Sequence, residues 1–115
     1  MTASFIYDRN IETIIGGMCE TDYSGYPDCR NEFIQSQITT INLAMQTSIK
    51  IETPLMHLTK AKTVQLMNDL GCLAWYAQTH TCYEGMAPAC GKCPACELRL
   101  KGFAEAGVPD PLAYQ

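Results

Sequence analysis

The 115-residue sequence contains no apolar run that nears the ~20 residues a membrane-spanning helix needs, so no membrane partner is expected. Positive charge is scarce: 8 Lys and Arg stand against 12 Asp and Glu, for a net charge of −4. A nonspecific nucleic-acid binder needs a basic surface for phosphate contacts, so direct binding of nucleic acid is not expected either. There is no internal repeat, no low-complexity tract and no linker long enough to divide the chain. The opening, MTASFIYDRN, has neither the basic front nor the apolar segment of a secretory leader. It reads as an ordinary cytosolic start, and a cytoplasmic location is the expectation. Charged residues are only 17% and hydrophobic ones 47%, which argues against disorder and for one packed domain or part of one.

Cysteine, by contrast, is plentiful. Four of the seven fall within the segment TCYEGMAPACGKCPACELR, at positions 82, 90, 93 and 96. A reducing cytosol disfavours disulfides, and an odd total cannot pair completely, so clustered thiols point to a metal. The pattern is C-x7-C-x2-C-x2-C. Two residues between ligands let a tight turn bring both sulfurs to one ion, and Gly91-Lys92 and Pro94-Ala95 are small or turn-prone fillers. Four thiolates suit tetrahedral zinc at about 2.3 Å and leave no open position, so such a zinc would be structural. The rival is an iron–sulfur cluster, whose run ends in a fourth cysteine followed by proline. Here that position is Leu100, followed by Lys101, although Cys82 could serve as a remote ligand. The expected ligand set is therefore Cys82, Cys90, Cys93 and Cys96, with one zinc per chain. His80 lies two residues from Cys82, but four cysteines already fill the shell. Cys72, after the helix stop at Gly71, reads as a small buried hydrophobe, and His57 as an ordinary surface or core histidine.

The remainder alternates helix and strand. Residues 2–9 read as the end of a helix, and Glu12 to Ile15 as a short strand closed by Gly16-Gly17. Asp28 is placed to cap a helix whose Ile34, Ile38, Ile41 and Met45 form one apolar stripe. Ile49 to Thr53 alternates and stops at Pro54, as a strand does. Thr59 can cap a helix through Leu70 that ends at Gly71, and Cys96 to Ala106 reads as a third helix, with Leu98 and Phe103 as its packing residues. Strand, helix, strand, helix implies an α/β fold: a partial Rossmann-like parallel sheet with crossover helices, followed by the four-cysteine zinc knot. Two strands are few for such a sheet. Residues 2–80 form the strand and helix part, and 81–106 the zinc-binding part.

In open parallel sheets ligands bind beyond the carboxyl ends of the strands. The loop Cys19 to Arg30, CETDYSGYPDCR, follows the first strand. Its Asp22, Tyr23, Ser24, Tyr26, Asp28 and Arg30 are the candidate ligand-binding residues. A carboxylate there can accept paired hydrogen bonds from a guanine-like edge, and a tyrosine can stack on a flat base. For Asp28 alone, the capping role is the preferred one. Cys19 and Cys29 flank the loop, and nothing in the sequence shows a lowered thiol pKa.

The segments CETDYSGYPDCRNEF, ETPLMHLTKAK and TCYEGMAPACGKCPACELRLKGFAEAGVPDP, in that order, closely resemble the C-terminal half of the 7-cyano-7-deazaguanine synthase family. The resemblance covers nearly the whole chain. It implies an ATP-dependent ligase of queuosine biosynthesis in the adenine-nucleotide α-hydrolase group, usually a homodimer, with Cys82, Cys90, Cys93 and Cys96 matching the family's zinc ligands. The implied reaction activates 7-carboxy-7-deazaguanine with ATP, forms an amide with ammonia and dehydrates it to the nitrile. The family's Ser-Gly-Gly-x-Asp-Ser type phosphate loop, which holds anions on backbone N–H groups, has no counterpart here: Gly16-Gly17 is followed by Met18-Cys19. The expectation is accordingly a fragment of the ligase, inactive alone, with no ATP-loop half; the alternative is a stand-alone zinc-stabilised binding module without catalysis. Lys62, where the family often has Glu, is expected on a solvated helix face.

Overall fold

A computed structural model describes residues 2–21 and 25–115. Its elements are helix α1 (Thr2–Tyr7), strand β1 (Thr13–Ile15), helix α2 (Asn31–Met45), strand β2 (Lys50–Glu52), helix α3 (Lys60–Asp69) and helix α4 (Pro94–Ala106), with single 3-10 segments at Pro27–Cys29 and Leu73–Gln78. No helix among the described residues is long and apolar enough to cross a membrane. Contacts divide the chain into two compact units, Met1–His57 and Leu58–Gln115.

In the first unit β1 and β2 pair in parallel, with Thr13 opposite Lys50, Ile14 opposite Ile51 and Ile15 opposite Glu52. These are the two strands read from sequence, and α2 lies between them in the chain, as a parallel pair requires. Alternation sends Ile14 and Ile51 to one face, where they pack with Ile41 and Met45 against a buried cluster of Ala3, Ile6, Ile38 and Ile49. Ile15, on the other face, is 71% exposed. The expected stripe on α2 is therefore the buried one. Asn42 fixes the turn from α2 to β2: its amide donates to the Ile49 carbonyl at 2.9 Å, and its oxygen accepts from the Thr47 hydroxyl and the Ile49 N–H, each at 2.9 Å.

The second unit is built on α3 against α4. Thr59 caps α3 as expected, its hydroxyl oxygen accepting from the Lys62 N–H at 3.3 Å, and Lys62 is exposed. Gly102 permits the close approach of the two helices, because a methyl group there would overlap Cβ and Cγ of Lys60. Helix α4 starts at Pro94, two residues earlier than the sequence reading, since proline is well suited to a first helical turn. Its buried face is Cys96, Arg99, Gly102 and Phe103, whereas Leu98 is only half-buried. Cys72 is likewise half-buried rather than buried, with its thiol directed at the Leu70 carbonyl, 3.4 Å away.

Candidate metal centre and ligand loop

The four cysteines of the knot converge. Cys82 and Cys90 lie at the two ends of a turn-rich loop, Cys93 is the N-cap of α4, and Cys96 sits in its first turn. All four are buried, and their sulfurs lie within 4.8 Å of one another. Sulfurs around a tetrahedral zinc at about 2.3 Å would be roughly 3.8 Å apart, and Cys90 Sγ lies 3.9 Å from Cys96 Sγ. The donor set and its spacing thus fit a metal ion and are compatible with zinc. Backbone N–H groups point at the sulfurs: Cys90 N–H donates to Cys82 Sγ at 3.5 Å and Cys93 N–H to Cys90 Sγ at 3.3 Å. Such donors favour thiolates. The N–H groups of Cys90 and Met86 lower the Cys82 pKa to about 6, and those of Cys96 and Tyr83 lower that of Cys93. Burial, in contrast, pushes Cys96 up to about 12. The charge of a bound cation offsets that burial and holds a coordinating thiol deprotonated. His80 is exposed and is not a member of the cluster.

A polar lock beside the cysteines escaped the sequence reading. Arg99 and Asp110 side chains are each 5% exposed and form a bidentate pair, Nε to Oδ2 at 2.6 Å and Nη2 to Oδ1 at 2.8 Å. Two further Arg99 donors go to the Thr79 hydroxyl at 2.6 Å and the Tyr76 carbonyl at 3.0 Å. Asp110 also accepts from the Tyr114 hydroxyl at 2.7 Å and the Leu112 N–H at 3.0 Å. Burial works to raise the Asp110 pKa, but the hydrogen bonds from Arg99, Leu112 and Tyr114 outweigh it and hold the carboxyl below its usual value. The lock draws the C-terminal tail back onto the knot, where Ala89 N–H donates to the Ala113 carbonyl at 3.1 Å and Gln115 N–H to the Ala89 carbonyl at 2.9 Å. One signal was available: Arg99 falls three residues after Cys96 on the same helix face, where a charge requires a partner.

The polar loop is only partly described. Asp22, Tyr23 and Ser24 lie outside the described residues. Tyr26 is exposed and precedes the 3-10 turn; Asp28 lies inside that turn, exposed. Asp28 is not the cap of α2. The N-cap is Arg30, whose own side chain makes no capping bond. Instead Glu20, from across the loop, accepts from the Asn31 N–H through Oε2 at 3.0 Å. The 3-10 turn at Pro27–Cys29 consumes the residues that a sequence-adjacent cap would have used. The other Glu20 oxygen lies 2.8 Å from Nδ1 of His57, and the Glu20 N–H donates to the Met56 carbonyl at 3.0 Å. His57, read from sequence as an ordinary histidine, therefore joins the end of β2 to the loop after β1. Cys19 and Cys29 are half-buried, with Cys19 Sγ 3.6 Å from the Thr21 hydroxyl.

Residues 1–107 match the family model of queuosine biosynthesis protein QueC. The chain is 50% identical over 110 residues to a protein of Chromobacterium violaceum named 7-cyano-7-deazaguanine synthase, covering 96% of this chain and 47% of that protein. A protein of the same name from Laribacter hongkongensis is 49% identical over 110 residues, covering 96% of this chain and 48% of its own length. The chain thus spans about half the length of the curated relatives it matches. With its cysteine cage and its SGYPDCR loop, the chain belongs to the queuosine biosynthesis protein QueC family.

Proposed function

We propose that this chain is the metal-bearing, base-side portion of an ATP-dependent ligase that converts 7-carboxy-7-deazaguanine and ammonia to 7-cyano-7-deazaguanine. The observation that supports it most directly is identity at half of 110 aligned residues to proteins named 7-cyano-7-deazaguanine synthase. In this reading the ion is one structural zinc on Cys82, Cys90, Cys93 and Cys96. The β1–α2–β2 unit is part of a larger Rossmann-like sheet with crossover helices, and residues 1–115 form one portion of a single ligase domain. Tyr23 and Tyr26 offer stacking faces, and Asp22, Ser24, Asp28 and Arg30 offer polar contacts to the base. ATP is a co-substrate whose phosphates are held by residues outside this sequence, and the assembly is a cytoplasmic homodimer.

The test is nitrile formation followed by mass spectrometry. This polypeptide alone, with ATP, ammonia and 7-carboxy-7-deazaguanine, should give no nitrile above a no-protein control. Combined with the segment of the Chromobacterium violaceum synthase that it does not match, it should give product. Product from the chain alone would overturn its assignment as a dependent portion, and no product from the combination would overturn the ligase assignment. The second reading, a stand-alone zinc-stabilised binding module, is favoured by one observation: all four cage thiols and the whole polar lock come from residues 76–114 of this chain.

A further inference from the structure

The Glu20–His57 pair is not explained by stability. The His57 side chain is 67% exposed and that of Glu20 33%, and a contact so exposed contributes about 0–1 kcal/mol even where both partners are charged. Glu20 can cap α2 through the Asn31 N–H without any histidine. Yet the imidazole is held in place from two directions. Met56, 2% exposed, anchors the turn after β2, with its N–H on the Thr53 carbonyl at 3.0 Å and its carbonyl accepting from Glu20 at 3.0 Å. Glu20 Oε1 then holds Nδ1 at 2.8 Å.

That contact determines the tautomer. An ionised carboxylate only accepts, so the hydrogen of a neutral imidazole must sit on Nδ1. Nε2 is then an unprotonated acceptor, and among the described residues no side chain pairs with it. The position is also significant. Glu20 follows the carboxyl end of β1 and His57 the carboxyl end of β2, on two adjacent parallel strands. That edge is where parallel sheets receive ligands, and the loop carrying Tyr26 and Arg30 leaves from it.

We infer that His57 is a specificity-determining residue and Glu20 its positioning residue: Glu20 holds the tautomer in which Nε2 accepts a hydrogen bond from a ring N–H of the bound flat heterocycle. This rests on the deazaguanine reading above and deepens it. Every other candidate polar contact of the loop is a carboxylate, a hydroxyl or a guanidinium. In its neutral form His57 adds an acceptor that, unlike the carboxylates, carries no charge and, unlike the hydroxyls, cannot also donate through the same atom, which distinguishes a ring bearing N–H from one with a bare nitrogen at the same place.

The metal-loaded chain, labelled with 15N-histidine, tests this by long-range 1H–15N correlation during titration with 7-carboxy-7-deazaguanine. His80, exposed and outside the pair, is the internal control. In the parent, neutral His57 should show a protonated Nδ1 and a bare Nε2, and the base should move the Nε2 resonance while His80 stays put. His57→Phe, which leaves the α2 cap intact, should weaken binding about tenfold, the effect of one lost hydrogen bond. Glu20→Gln should mix the tautomers and weaken binding less, with α2 amide protection unchanged. A protonated Nε2 in the parent, or equal affinity in His57→Phe, overturns the inference while the deazaguanine reading stands. No shift at His57 together with no measurable binding of the base to the parent overturns both. A responding His57 without nitrile in the combination assay leaves the inference standing and removes the ligase assignment.

Discussion

The two units of this chain are held together by different physics. In residues 1–57 the core is aliphatic: Ala3, Ile6, Ile38 and Ile49, with isoleucines of both strands laid against them. In residues 58–115 one buried cluster is four cysteines and an alanine, and beside it lies an arginine–aspartate pair 5% exposed on each side. Aliphatic burial is non-directional and roughly proportional to area, so it loses strength in small steps as atoms are removed. A four-thiol cluster able to hold a metal and a bidentate ion pair are directional, and removing one member leaves the others buried without a partner. The second unit should therefore respond to single substitutions abruptly, and the first gradually.

The largest effect that would break this contrast is at the cage. Cys93→Ala removes one of the four clustered thiols that could hold a metal, and structural zinc can contribute on the order of 10 kcal/mol to folding in small peptides. Amides of residues 97–106 should lose hydrogen-exchange protection more than those of the helix carrying Ile34, Ile38 and Ile41. Elemental analysis of the parent, purified without added metal, should find one zinc per chain, and Cys29→Ala should retain both the metal and the protection. Unchanged protection in Cys93→Ala, or iron with acid-labile sulfide in the parent, would show that zinc is not what holds this unit.

A smaller effect is expected at the polar lock. Arg99→Ala leaves the Asp110 carboxylate buried without its cation, a loss of about 3–5 kcal/mol where such pairs are broken, readable by urea unfolding. The same pair sets an acid limit. Burial opposes ionisation of Asp110, but Arg99, the Leu112 N–H and Tyr114 lower its pKa overall. The folded state thus favours the ionised form, so this contribution is complete above the ordinary carboxylate value of about 3.9 and is lost as pH falls through the lower folded value. Asp110→Asn should show less of this acid loss than the parent; because both keep the cage, proton competition for the thiolates cancels in the difference. Identical acid profiles would mean the pair is not a determinant.

The smallest effect sharpens the comparison from the other side. Ile38→Val in the first unit should cost about 0.5–1.5 kcal/mol and leave the second unit's exchange pattern unchanged. A loss as large as that of Arg99→Ala would remove the distinction between the two kinds of core.

Sequence alone determined the periodic and the closely spaced features. The α2 stripe, the strands ending at Gly16 and Pro54, the Thr59 cap and the clustering of the C-x7-C-x2-C-x2-C cysteines were all legible, because helix, strand and turn each impose a short repeat on the residues that form them. Tertiary structure alone decided the pairs far apart in the chain. Glu20 displaced Asp28 as the α2 cap from eleven residues away, Arg99 met Asp110 across the end of α4, and His57 was brought to Glu20 by the pairing of β1 with β2. Each depends on where a chain reversal returns a side chain. Local propensity cannot encode that, because a polar residue on a loop is equally compatible with many partners until the buried residues around it, Met56 here and Cys96 and Phe103 in the second unit, fix the backbone that carries it.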